Sequence, residues 1–360
     1  MTLLVCCGGS YVSGMEIVEL AVMRGLAARG HRVHALVNGW NDGDFIARLE
    51  LAGIPYTEAF VGKLTVRRPR WMLDTLRFLP GARRTVRRLM RDLRPDLVMA
   101  SNRDAVLLLS GLFGDTEVVY RVHEPLSETW TRRIGRRATR FITVSDFIRS
   151  LLISNGLAPD RVVTAQNGVE AAAPVRPSNE PPVIGICGQV GAWKGHDDLF
   201  DAAGRLGARG IPFELRVYGR GDDDYVTLLK ARAEADEVSK SVRWMGFERD
   251  IERMYADLDI LAVPSRSNDP FPTTVLEAGG REIPVVGTRR GGIPEMIEDG
   301  MTGLLVRPED PVALADALQS LLQDPDRRRA MGVSARRRIE ARFLTEHMVD
   351  RVEAALFNRP

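Results

Sequence analysis

Asp269 and Glu277 stand eight residues apart in the segment VPSRSNDPFPTTVLEAGGREIPVVGT, residues 263–288, with Thr273 and Thr274 between them. A short apolar run, DILAVP, leads into this polar loop, and the threonines fall where a helix begins. Carboxylates so placed can bind separate hydroxyl-bearing parts of one ligand, while helix-start N–H groups and threonine hydroxyls face a negative bridge between those parts. An ordinary loop aspartate followed by a solvated helix glutamate would give the same letters, so the pair gains weight only from its loop. Lys194, in GICGQVGAWKGHDD, occupies a glycine-flanked loop just ahead of a helix starting near His196. There an ammonium can neutralise a diphosphate as a compact point charge. A lone loop lysine is more often a solvated side chain, and it is the company of the acidic pair that raises Lys194 above that reading.

Two further loops carry weaker signals. In CGGSYVSGME, Gly8 and Gly9 end a strand and Ser13 and Gly14 open a helix, a place where backbone can approach a ligand and N–H groups favour an anion. The spacing is not GxGxxG, and no acid ends the second strand, HRVHALVNGW, to take a ribose hydroxyl, which disfavours a dinucleotide site. A tight turn with no ligand fits these glycines equally well. The triplet Asp222, Asp223 and Asp224 could hold a divalent cation against a diphosphate, but it leads into a helical stretch and reads better as an acidic helix start. No metal and no cofactor are expected.

Positioning these groups requires a scaffold, and its rhythm is visible. Short apolar runs (TLLVCC, RVHALV, DLVMAS, EVVYRV, RFITVS) alternate with helix-length amphipathic stretches, the pattern of an α/β chain with a mainly parallel sheet. After the proline-rich segment AAAPVRPSNEPP the rhythm restarts with VIGICG, FELRVYG, SVRWMG, DILAVP, IPVVGT and GLLV. Two doubly wound domains facing a central cleft are expected: residues 1–175, residues 176–340, and a C-terminal helix at 341–360 that crosses back to the first domain.

The 360 residues, 44% hydrophobic, suffice for two cores and exclude a small disulfide scaffold or a disordered tail. With 50 basic against 48 acidic residues the net charge is only +2, so a nucleic-acid coat is not expected. The charge is unevenly spread, the first half basic and the second acidic. Residues 67–94 hold ten arginines against Asp74 and Asp92, with Trp71, Met72, Leu76 and Phe78 nearby. Within an expected helix at 82–94, Val86, Leu89, Met90 and Leu93 form one apolar stripe and the arginines point elsewhere. A second basic cluster is TRRIGRRATR, residues 131–140. Both fit an anionic membrane surface or a lipid-linked acceptor, against the plainer reading of a solvated arginine-rich face. Cys6, Cys7 and Cys187 lie in strand-like runs with no metal or disulfide spacing, and the N-terminus lacks a basic leader segment. A cytoplasmic protein, peripheral on the inner face of the membrane, is the expectation.

Taken in order, GGSYVSGMEIVELAVMRGLAARGH, RVHEP, ITVSDFIRSLL, TAQNGVE, GQVGAWKGHDDL, DPFPTTVLEAGGREIPVVGT and GGIPEMIEDGMTGLLV resemble the retaining GT-B glycosyltransferases of family four, the nucleotide-sugar-dependent glycosyltransferase group 1. The resemblance spans nearly the whole chain. It implies two Rossmann-like domains and transfer of a sugar from a nucleoside diphosphate sugar to an acceptor hydroxyl, with retention and without a metal, in glycan, polysaccharide or glycolipid biosynthesis. By position in the family's E-x7-E motif, Asp269 would contact sugar hydroxyls and Glu277 the ribose. Gln189 and Lys194 correspond to the cations of its G-R-x4-K-G loop, Gly9 and Gly14 to a phosphate-approaching loop, and Phe247 and Glu248 to residues near the base. His123 matches a position close to the reacting carbon; alone, it would read as a structural histidine. The chain departs from the family in three places: Gln189 replaces an arginine, Asp269 is one methylene shorter than the usual glutamate, and Pro272 stands where glycine is common. A noncatalytic sugar-nucleotide-binding protein with a degenerate site is the first rival reading, and an NAD-dependent oxidoreductase a disfavoured second.

Overall fold

The computed structural model describes residues 1–9, 12–61, 69–175, 179–235 and 237–357, with the side chains of 69–72 outside that description. The chain divides into two compact units, Met1–Gly168 with Thr345–Pro360, and Val169–Leu344.

The first unit is a seven-stranded parallel sheet built from β1 (Thr2–Cys7), β2 (Arg32–Asn38), β3 (Tyr56–Ala59), β4 (Leu97–Ala100), β5 (Glu117–Val122), β6 (Arg140–Thr143) and β7 (Val162–Thr164). Its spatial order is β3-β2-β1-β4-β5-β6-β7. The strand order therefore reverses between β1 and β4, where a doubly wound sheet opens a crevice at its carboxyl edge. β1 shows why such strands read as unbroken apolar runs: Leu3, Val5 and Cys7 face one core and Leu4 and Cys6 the other. The cysteines are free and buried, and burial pushes the Cys6 thiol up to about 12, which leaves it an inert apolar side chain.

Helix Gly14–Ala28 covers β1, opened by a capping box in which Ser13 and Glu16 satisfy each other's backbone N–H. Thr345–Phe357, the last helix, lies against it with Met348, Val349 and Val352 in the same core. Close approach is possible because a Cβ at Gly25 would come within 2.4 Å of Val349 Cγ2. Outside this seam Arg29 pairs with Asp350 and Glu353, and His31 meets Glu353 at 2.7 Å while stacking on Phe357.

Pro69–Leu93 forms one helix with Pro80 inside it, whereas the sequence pattern marks only 82–94. Proline normally ends a helix, which is why the pattern begins late. The predicted stripe is inward: Val86 is fully buried and Leu89, Met90 and Leu93 pack on the same core. Leu73 and Leu76 are each 64% exposed, and Arg77, Arg84, Arg87, Arg88 and Arg91 are exposed on the same helix. Arg67 and Arg68, and the side chains of Trp71 and Met72, lie outside the described residues. The 131–140 cluster is partly committed within the fold. Arg132 pairs with Glu128, and Arg140 pairs with Glu117 at 2.5 Å and donates to the carbonyls of Ala355 and Leu356.

The second unit is a six-stranded parallel sheet of β8 (Val183–Cys187), β9 (Glu214–Tyr218), β10 (Val242–Gly246), β11 (Ile260–Val263), β12 (Val285–Thr288) and β13 (Gly303–Val306), ordered β10-β9-β8-β11-β12-β13. Its reversal falls between β8 and β11, so the loops after these two strands leave one edge side by side.

Gly25→Ala gains up to about 1 kcal/mol in helix propensity but overpacks the seam at a cost of about 1–3 kcal/mol. Urea unfolding should show a net loss, partly restored by adding Val349→Ala. A Gly25→Ala protein at least as stable as the parent would mean that the two helices do not meet this closely.

Candidate functional site

In the second unit, Lys194 closes a short turn, Ala192–Lys194, in the loop after β8. Gly195 follows at φ +78, and a Cβ there would lie 1.8 Å from Pro264 O, so glycine is what lets the β8 and β11 loops touch. The contact is extended by Arg266 N and Ser267 N, which donate to Trp193 O at 3.0 and 3.1 Å. Arg266 then clamps Asp198 through two bonds, at 2.8 and 2.5 Å, which ties the loop to the first turn of helix His196–Ala208.

Held in this way, Lys194 Nζ donates to Asp269 Oδ2 at 2.6 Å and lies 4.5 Å from the Trp193 ring centre. Two residues 75 apart in sequence thus meet. The backbone on either side of Asp269 is fixed too, its N–H bonded to Ser267 O and its carbonyl accepting from Gly292 N. Thr273 opens helix Thr273–Gly280 with Pro272 at its cap, and the cap supplies no side-chain hydrogen bond, which leaves the helix start uncapped by protein side chains. Glu277, one turn along, accepts from the hydroxyl of the fully buried Tyr255 at 2.8 Å. Burial, with the Glu277 charge beside it, pushes that phenol well above its ordinary value, so Tyr255 remains a donor.

Gln189 is exposed in the β8 loop. Next to it Val190 N donates to Arg220 O at 2.8 Å, which brings the β9 loop alongside. Arg220 stacks over the ring of Phe247 at 5.2 Å, and Phe247 is 53% exposed. Glu248 is turned to a local task, accepting from Asp250 N at 2.9 Å. Asp222 accepts from Asp224 N and Tyr225 N, the behaviour of an acidic helix start. Among the described residues no group of three or more His, Cys, Asp or Glu is arranged to hold a metal.

In the first unit, Gly9 N–H donates to Glu16 Oε1 at 2.8 Å and Ser13 N–H to Glu16 Oε2 at 2.9 Å, while Gly14 is the exposed first residue of the helix. Gly9's own donor is therefore taken by a carboxylate. His123, just past β5, places Nε2 2.7 Å from Glu19 Oε1, and the same oxygen accepts from Arg121 Nη1 at 2.9 Å. Arg121 is fully buried and donates also to Asn167 at 3.2 Å. Burial works to raise the Glu19 pKa, but Arg121 and then His123 outweigh it and hold the carboxyl down at about 2. For His123 burial is the largest influence and lowers the pKa, against the opposing pull of Glu19.

Tyr255, Arg266, Arg220, Glu19 and Arg121 are the residues that sequence reasoning does not single out. Each acts through a partner on another element, and nothing in its local spacing marks that partner. GMEIVELA offered one usable sign, since Glu19 falls on the inward face of an amphipathic helix.

Two family models match the chain: glycosyl transferases group 1 over residues 170–338, and Glycosyltransferase Family 4 over residues 12–173. Over 156 residues it is 36% identical to a D-inositol 3-phosphate glycosyltransferase of Corynebacterium urealyticum, which is 41% of this chain and 37% of that protein. Over 187 residues it is 32% identical to a GDP-mannose-dependent monoacylated alpha-(1-6)-phosphatidylinositol monomannoside mannosyltransferase of Corynebacterium glutamicum, 50% of this chain and 48% of that one. The matched region thus spans less than half the length of these curated relatives. In structure the chain is similar to Anabaena HepE, solved with UDP-glucose, at a TM-score of 0.84 and 21% identity, covering 99% of this chain and all of that one. The two parallel sheets with flanking helices are those of the two-domain, Rossmann-like GT-B fold.

His196 lies beneath the Lys194 loop, 1% exposed, its Nδ1 3.1 Å from Gly191 O. Burial, reinforced by the Lys194 charge, pushes its pKa down from an ordinary 6.5 to about 4. A base whose folded pKa is depressed contributes stability that is present above about pH 6.5 and lost as pH falls toward 4. Wild type should therefore lose up to about 1.4 kcal/mol per pH unit relative to His196→Gln across that window. Parallel stability profiles for the two proteins would show that His196 is not held neutral.

Proposed function

Because the chain belongs to the group 1 glycosyltransferases, we propose that it moves a sugar from a nucleoside diphosphate sugar to an acceptor hydroxyl, with retention of configuration and without a metal. The observation that carries the reading is the Lys194–Asp269 contact, placed at the switch point of the second sheet. An ammonium carries three donors, so Lys194 can bind Asp269 and still reach a diphosphate. As the bond to the leaving group breaks, negative charge grows on that diphosphate, and a fixed cation stabilises it more than it stabilises the intact donor. The N–H groups and hydroxyls of Thr273 and Thr274 face the same charge at an uncapped helix start. Asp269 takes sugar hydroxyls. Glu277, oriented by Tyr255 through one oxygen, offers the other to the ribose. The exposed Arg220–Phe247 stack lies beside the Gln189 loop, where it supplies a flat face for the base and a cation that Gln189 lacks. Gly14 is carried over from the family resemblance as a donor-binding residue and His123 as a catalytic one. Glu248, engaged with Asp250 through one oxygen, keeps the other for the base, whereas Gly9, its N–H held by Glu16, contributes shape rather than a free donor.

The acceptor is proposed to be lipid-linked, in glycan, polysaccharide or glycolipid biosynthesis, and the protein to work in the cytoplasm, peripheral on the inner membrane face. Among the described residues no helix is long and apolar enough to cross a membrane. Helix Pro69–Leu93 instead exposes Leu73 and Leu76 among arginines. Beside it Trp40, Phe60 and Phe78 form an aromatic cluster with centroids 5.3–5.6 Å apart. Apolar groups ringed by guanidinium suit an anionic lipid surface.

A thermal-shift screen against UDP, GDP, ADP, TDP and their sugar conjugates, run with EDTA, should give one preferred base, because saturable binding stabilises the fold by mass action. The preferred donor should then be hydrolysed slowly to the sugar of retained anomeric configuration. Lys194→Ala should lower kcat/KM by about 10²–10³-fold with the protein still folded. Unchanged kcat/KM would remove Lys194 from the site, and saturable binding with no turnover under any acceptor would favour the noncatalytic rival.

Flotation with liposomes should depend on anionic lipid and should weaken in Leu73→Asp/Leu76→Asp. Binding indifferent to lipid charge would count against the basic surface.

A further inference from the structure

The first unit contains a buried charge arrangement that donor binding alone does not explain. Glu19 and Arg121 are each at most 1% exposed, and the Glu19 oxygen that Arg121 binds also meets the one histidine that the proposed reaction uses. We propose that Glu19 is a positioning residue that holds His123 as the neutral Nε2–H imidazole, so that Nδ1 presents a bare lone pair as hydrogen-bond acceptor to a hydroxyl of the bound sugar or acceptor. This rests on the reading that His123 lies beside the reacting sugar.

An ionised carboxylate can only accept, and Arg121 already donates to Glu19 Oε1, so the 2.7 Å contact from His123 Nε2 requires a proton on that nitrogen. Nδ1 has no hydrogen-bond partner among the described residues, and the imidazole is 9% exposed. The ring's unpartnered polar atom is therefore Nδ1. Its protonation depends on the charges around it: burial and Arg121 oppose a second proton, Glu19 and Glu16 favour one, and the balance leaves the ring's pKa below its ordinary value. Arg121 thus has a definable part. It neutralises Glu19, so that the carboxylate orients the imidazole without turning it into an imidazolium. A neutral Nε2–H histidine can accept a hydroxyl proton's hydrogen bond, but it cannot serve as a general acid toward the leaving group.

The test is a ring-nitrogen NMR spectrum of protein labelled with 15N-histidine, His123 being assigned by its loss in His123→Gln, and it needs no donor. Wild type should show His123 protonated at Nε2 and bare at Nδ1 across pH 7–8. A proton on Nδ1, or an imidazolium signal at pH 7, overturns the proposal. Glu19→Gln should mix the two tautomers and lower kcat at least about tenfold with the donor KM little changed, as expected when a catalytic imidazole loses its orienting acid. Should the lone buried Arg121 unfold that variant, Glu19→Gln/Arg121→Met removes both charges and reads the same signal. An unaltered tautomer and unaltered kcat in either variant would mean that Glu19 does not position His123. The spectrum also separates two failures: a correct tautomer in a protein that transfers no sugar would defeat the transferase reading, whereas a wrong tautomer in an active enzyme would defeat only this one.

Discussion

Every strand in both sheets runs parallel to its neighbours, and the rest of the molecule follows from that constraint. Parallel strands need crossover helices on both faces, so the strands are buried on both sides and cannot carry chemistry along their length. What remains polar is the loop at each carboxyl end, and within a unit all of those loops emerge on one edge. Reversal of strand order then leaves a gap between the first and fourth strands of each sheet. Lys194 follows β8, Asp269 follows β11, and His123 follows β5. The residues proposed to carry chemistry are where an α/β sheet has room for them.

Charge is handled in both units by pairing it before any ligand arrives. Lys194 meets Asp269, Arg266 meets Asp198, Arg121 meets Glu19, and Asp259 accepts from Val183 N and Asn179 while Arg328 lies 3.2 Å away. Buried pairs of this kind are poor sources of net stability, since desolvating both ions offsets most of their attraction. Their effect is geometric: removing one partner leaves an uncompensated ion, so each side chain is confined to a narrow set of positions. For a reaction whose barrier falls through fixed charge, that confinement is worth more than the pair's own energy.

Much of the scaffold was legible because a doubly buried strand has a simple signature. TLLVCC, EVVYRV and GLLV coincide with β1, β5 and β13 as observed. β3 and β7 were not, being short strands toward the edge of the first sheet, Tyr56–Ala59 with a polar half and Val162–Thr164 with only three residues. The helix over Pro69–Leu93 was legible only in its second half, where the 3.6-residue stripe is free of proline. Of the proposed site residues, Asp269, Glu277, Lys194 and His123 were singled out through loop context and resemblance. The residues that aim them were not, because Tyr255, Arg266 and Glu19 are defined by contacts to partners 22, 68 and 104 positions away. Spacing reports what one element presents; it carries no record of what another element brings to it.

The neutral Gln189 sharpens the electrostatic problem. In the proposed reaction Lys194 must serve two anions, the Asp269 carboxylate 2.6 Å away and the diphosphate. A charge shared with a carboxylate is a weaker partner for phosphate than a free one, and Gln189 adds only a dipole. Two features of the fold work against that loss. In the proposed reaction Asp269 would exchange part of its bond to Lys194 for sugar hydroxyls as the donor enters, returning field to the phosphate. The β9 loop, fastened to the β8 loop through the Val190–Arg220 bond, carries an exposed guanidinium that comes from another strand and stacks on Phe247. In the proposed site that cation would offset part of the loss at Gln189, to an extent set by its distance from the diphosphate rather than by which strand supplies it. A motif read along one loop records only the loss, because it carries no trace of a cation that a neighbouring loop supplies.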